Sequence, residues 1–199
     1  MSLEKPWGKA FEELLEKFLQ HYRGEISGSD SKGESPAWGY DTSFFFYPLF
    51  FGEWKGYTFT IEISEFPASG FSVLEAIDNI EYLRIFVTKP TSYSILIVHE
   101  DWHYRLGKKL HWDHEFQTGN KEFDSKYYLK IKSDKDRYLL TDSRLQYQIR
   151  NLEPFSALQV LASGIRWSQM ITDEKQLDFM VVDNYLKKVF ELTKLIPVQ

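Results

Sequence analysis

Seven residues constrain this chain most. From Tyr57 to Ile63, the apolar Tyr57, Phe59, Ile61 and Ile63 alternate with Thr58, Thr60 and Glu62. Side chains of an extended backbone point to opposite faces in turn, so this stretch is a strand with one buried face and one wet face. A strand of this kind needs neighbours and a covering layer.

The chain supplies both. Thr42 to Phe51 and Trp54 to Ile63 are expected to be two strands joined at Gly52-Glu53. Further strands are expected at Glu81 to Thr88, with Leu83, Ile85 and Val87 in step, at Tyr93 to Val98, and at Lys126 to Ile131. Ala157 to Ala162 and Ile165 to Met170 form a late hairpin around Gly164.

Helical spacing marks the covering layer. Phe11, Leu14, Leu15, Phe18, Leu19 and Tyr22 recur at intervals of three and four, which predicts an amphipathic helix over 5–22, with Pro6 in its first turn and Gly24 just past its end. Leu145, Ile149 and Leu152 mark a second helix over 142–152, capped by Asp142 or Ser143. A final helix over 173–195, capped by Thr172 or Asp173, carries Leu177, Val181, Tyr185, Val189 and Phe190 and stops before Pro197. Residues 24–41, rich in Gly, Ser and acidic groups, are expected to be a mobile loop, and 42–131 the strand-rich region. The fold class that follows is α+β: a single domain, 1–199, with a mostly antiparallel, twisted sheet of about six to eight strands flanked by an N-terminal and a C-terminal amphipathic helix.

Composition narrows the function classes. The formal net charge of −5 and the lack of any Lys/Arg run longer than Lys108-Lys109 argue against nucleic acid as a partner. With no Cys there is no disulfide and no thiolate nucleophile or ligand, which suits a cytoplasmic protein. The longest apolar run, Phe44 to Phe51, is broken by Pro48 and is far short of the roughly 20 residues of a spanning helix, so no membrane span is expected. Aromatic residues make up 17% of the chain, a payload that favours a sheet-rich core and wide interfaces.

One string names a chemistry: His99-Glu100-Asp101-Trp102-His103, an H-E-x-x-H. On a helix, residues four apart lie about 6 Å apart at Cβ, so both imidazoles can hold one zinc ion beside a Glu base. Along a strand the same two positions are separated by about 13 Å, too far for one ion. The β-branched run before the motif predicts a strand reaching His99, with a helix beginning only at Asp101, so the pair would be split. His111 and His114 lie downstream as possible third ligands, but not at the spacing of the known longer zinc motifs.

Other constellations are weaker. Gly24 to Tyr40 contains G-x-x-x-G without the G-K-[ST] of a phosphate loop, and Gly70 to Leu74 lacks the last Gly of a nucleophile elbow. Ser133-Asp134-Lys135-Asp136 reads as a solvated turn rather than a calcium loop, and Glu62 with Glu65 as strand-end carboxylates.

Phe51 to Tyr57, then Phe123 to Tyr128, then Leu139 to Asp142 together resemble an uncharacterised bacterial domain family with G-x-x-x-G, F-D-x-x-F/Y and L-L-T elements. The resemblance spans 42–152 and implies no activity. It implies that Gly52 and Gly56 bracket a tight strand connection and that Asp124 fixes a turn after Phe123 through backbone N–H bonds.

The leading expectation is therefore a non-enzymatic, soluble protein-interaction module, with a protein partner or self-association, no catalytic residue, no metal and no cofactor. One alternative is a zinc hydrolase with Glu100 as base and His99, His103, His111 and His114 as the candidate ligands. Another is a small-molecule carrier with an aromatic-lined pocket between sheet and helices.

Overall fold

Alternating side chains build the sheet row by row. The computed structural model describes residues 7–27, 47–64, 81–99 and 116–198. Among these residues eight strands form one sheet: β1 (Arg23–Ser27), β2 (Leu49–Trp54), β3 (Tyr57–Ser64), β4 (Tyr82–Thr88), β5 (Ile95–His99), β6 (Tyr127–Ile131), β7 (Ala157–Leu161) and β8 (Gly164–Met170). Their order is β1-β2-β3-β4-β8-β7-β5-β6, and every neighbouring pair is antiparallel. Register aligns Phe50, Ile61, Ile85, Trp167, Leu158, Ile97 and Leu129 as one apolar row across seven strands.

Among the described residues, five helices supply apolar residues to the same face: α1 (Gly8–His21), α2 (Lys121–Asp124), α3 (Asp134–Leu140), α4 (Ser143–Asn151) and α5 (Phe179–Leu195). α1 lies over β1 and β2 through Phe11, Leu14, Leu15 and Phe18, while α5 lies over β4 and β8 through Val182, Leu186, Val189 and Phe190. This is the expected α+β architecture with terminal helices on an antiparallel sheet. The aromatic payload closes the joint between the layers. Phe18 meets Phe50 at 5.8 Å, Trp54 meets Phe190 at 4.7 Å, and Trp167 stacks on Tyr185 at 4.7 Å between ring centroids.

Several expectations need correction. The β2–β3 turn is Lys55-Gly56, not Gly52-Glu53: both residues have positive φ, 50° and 81°, the geometry that a two-residue hairpin turn demands. Gly52 sits inside β2 because a Cβ there would lie 2.4 Å from the Phe59 ring. Its partner Gly24 does not end α1 but pairs within β1, where a Cβ would lie 2.1 Å from the Phe51 carbonyl oxygen. The mobile loop placed at 24–41 therefore begins as a strand; 28–41 lies outside the described residues, as do 1–6.

The C-terminal helix is split. Asp173 caps a 3-10 turn, Glu174–Leu177, and Asp178 caps α5 by accepting from the Met180 N–H at 2.8 Å. Val181 is exposed, and Val182 takes the core position in its place. By contrast, Asp142 caps α4 as expected, accepting from the Arg144 N–H at 2.7 Å.

The segment at Ser133 is not a solvated turn. It opens α3 with a capping box, and Asp136 is fully buried, accepting from the N–H of Ser94, Lys132 and Ser133 and from the Ser133 hydroxyl at 2.8–3.1 Å. Asp124 does accept backbone N–H bonds, but from Thr118 and Gly119, so it fixes the turn before Phe123.

Nor is the second face of the sheet uniformly wet. On β3 it carries exposed Thr58 and half-buried Thr60 and Glu62, whereas on the central strands Tyr82, Arg84, Phe86, Leu96, Val98, Gln159 and Ser168 are all buried.

Candidate functional site

β5 ends at His99, as the β-branched run before it requires. The alternation along β5 puts its imidazole on the helix-covered face, where it meets its cross-strand partner Tyr127 edge-on at 5.9 Å. Tyr127 is fully buried, stacks on Phe155 and donates its hydroxyl hydrogen bond to Glu153. Glu100, His103, His111 and His114 lie outside the described residues. Among the described residues no three His, Asp or Glu side chains are disposed to hold a metal ion.

Buried polar groups sit where strands and helix ends meet. On the second face Arg84 donates to Glu62 at 3.1 Å in a nearly buried ion pair, and the Arg84 Nε finds no acceptor among the described residues. Next to it, Arg166 donates to Gln159 at 3.2 Å and lies over the Phe86 ring. Glu62 is thus held within the sheet, away from the strand-end position expected of it; Glu65 lies outside the described residues.

Tyr22 donates to Asp183, which also accepts from Lys187 at 2.6 Å, tying the end of α1 to α5. Burial first, then the hydrogen bond to a carboxylate, raises the hydroxyl pKa of Tyr22 above its ordinary 10.0, and the same causes in the same order raise that of Tyr127. Lys89 reaches the other end of α5 and donates to the carbonyls of Thr193, at 2.6 Å, and Ile196. Desolvation lowers its ammonium pKa, while the helix C-terminus offers the charge a partner.

The two sheet edges differ. At the β6 edge the Phe116 N–H donates to the Leu129 carbonyl at 2.9 Å, so other backbone already occupies part of that ladder. At the β1 edge, Arg23, Gly24, Glu25 and Ile26 are exposed, and β2 is the only strand paired with β1 among the described residues. β1 is held from the inside: the Gly24–Gly52 pair lets the Phe50 and Phe59 rings lie directly over backbone.

Apolar side chains flank this open edge. Ile26 is 37% exposed and shares the helix-side face with Phe50, its register partner. Leu19 is 47% exposed on α1. It lies about 160° around the helix from His21, at 100° per residue. His21 packs on Phe179 at 4.4 Å, so Leu19 is turned away from α5, towards the β1 side. The edge was not legible as a site, because Arg-Gly-Glu-Ile-Ser has neither strong β propensity nor clear alternation. A paired reading of Gly24 with Gly52 was the available clue.

Fold and edges together define an α+β protein built on one antiparallel eight-stranded sheet, with an edge at β6 partly occupied by Phe116 and one at β1 that pairs with no further strand among the described residues. A scan against protein-family models finds no matching family, and a search of curated proteins finds no match. No helix among the described residues is long and apolar enough to cross a membrane.

Proposed function

We propose that this chain is a non-enzymatic protein-interaction module that binds by accepting an added strand along the outer edge of β1. The observation that carries this reading is the asymmetry of the two edges: Phe116 occupies part of the β6 ladder, while β1, among the described residues, offers an exposed edge flanked by Leu19 and Ile26. Long apolar edges invite unwanted pairing, and native proteins blunt them with short length and charge. β1 has five residues and carries Arg23 and Glu25, so it is selective rather than sticky. An incoming extended segment gains main-chain hydrogen bonds, and its alternate side chains meet Ile26 and Leu19 on one face and Arg23 and Glu25 on the other.

The test is selection of binders from a random displayed-peptide library, followed by hydrogen-exchange mapping. Peptides that slow exchange at the amides of Arg23 to Ser27 and are lost on Ile26→Lys support the reading. Binders that protect other surfaces only, or that bind the variant equally well, sink it.

A further inference from the structure

We infer that the strand added at β1 is β1 of a second copy of this chain, placed antiparallel about a twofold axis midway between the two Gly24 residues; this rests on the strand-addition reading. A twofold perpendicular to the sheet preserves the faces, so residue pairs must sum to an even number and the axis must pass midway between the two copies of one residue. Centred on Gly24, the pairing sets Arg23 opposite the second copy's Glu25, and Glu25 opposite the second copy's Arg23. Centred on Glu25, it sets two carboxylates face to face. Opposite charges directly across a ladder stabilise and like charges destabilise, so charge selects the Gly24 register.

Shape agrees with charge. Tyr22 has extended backbone, φ −126° and ψ 146°, so it continues the strand and falls opposite the second copy's Ile26. Gly24 against Gly24 leaves no side chain at the axis on the helix side. The two α1 helices then flank the axis on one side of a joined sheet, each turning its exposed Leu19 away from its own α5. The partner's chemistry is thus written in β1 itself: Arg-Gly-Glu is its own complement when read backwards.

Charge exchange tests both the partner and the register. In sedimentation velocity on the full chain, the unchanged protein is expected to form a dimer as concentration rises. Arg23→Glu and Glu25→Arg, each alone, oppose like charges twice and should weaken the dimer by about tenfold. The double variant restores opposite charges and should recover most of that loss. A protein that stays monomeric to millimolar concentration overturns the inference, as does a dimer indifferent to the single changes or not recovered by the double change. The peptide mapping above keeps the two proposals apart: a monomer whose Arg23 to Ser27 amides are still protected by selected peptides loses the dimer and retains strand addition.

Discussion

Asp136 holds three backbone N–H groups and one hydroxyl in a fully buried site, and so joins β5, the end of β6 and α3. Asp136→Ala strands the buried donors, at about 1–3 kcal/mol for each one left without water. The expected loss is at least about 3 kcal/mol, measured by urea unfolding; a loss below about 1 kcal/mol would refute the network's role. The residue was missed because Ser-Asp-Lys-Asp looks like a turn by composition. The Ser-x-x-Asp spacing is a capping box, and that spacing was the readable signal. Tyrosines give a second residue-level prediction. Tyr22 and Tyr127 have folded pKa values above 10.0, so their stabilisation is fully present below pH 10 and drains away as pH rises towards the folded values. Lys89, whose pKa is lowered from 10.5, acts with the opposite sign, gaining stability with pH up to that value. Burial raises the Tyr185 hydroxyl as well, so three hydroxyls against one ammonium predict that stability falls above pH 10, and that the fall is shallower in a Tyr22→Phe, Tyr127→Phe double variant. Equal alkaline slopes in the two proteins would rule out these hydroxyls as the cause.

Elements were legible where one local rule decided them. α1, α4, β4, β6 and the β7–β8 hairpin follow from periodicity and caps within two or three residues. β5 did too, since four β-branched or aliphatic residues lead into His99. Where two glycines competed, local rules chose wrongly. Gly52-Glu53 looked like the turn, but tertiary packing reserves Gly52 for the Phe50 and Phe59 rings, and Lys55-Gly56 makes the bend. Gly52→Ala is therefore expected to destabilise by about 2 kcal/mol or more, through overpacking of a filled interface. The check is thermal unfolding by circular dichroism, and an unchanged Tm would show that the rings can move aside. The same packing explains why β1 reads as loop in the sequence: its pairing depends on a distant Gly and two Phe rings, none of which its own five residues announce.

At the scale of the molecule, the H-E-x-x-H string becomes an experiment. His99 closes a strand, on the face opposite to Val98 and alongside Tyr127. For an interaction module, protein purified without an affinity tag should contain far less than one equivalent of zinc by elemental analysis, and His99→Ala should leave that content unchanged. Stoichiometric zinc lost in the variant would replace the proposed function with metal chemistry. Overall class and the longer covering helices α1, α4 and α5 were readable because hydrophobic period specifies them, whereas the short α2 and α3 were not. Strand order was not, since periodicity says which face is buried and nothing about which neighbour a strand takes.

That order has a cost in time. β4 and β5 follow one another along the chain, yet the β7–β8 hairpin lies between them. On the ribosome, the first four strands and the β5–β6 pair must wait, with facing ladders vacant, until residues 157–170 emerge to bridge them. Such long-range closure is slow, and waiting edges are prone to pair wrongly. The late hairpin is thus the keystone of synthesis: nascent chains arrested before Ala157 should stay protease-sensitive, and protection should arrive abruptly once Met170 has cleared the exit tunnel.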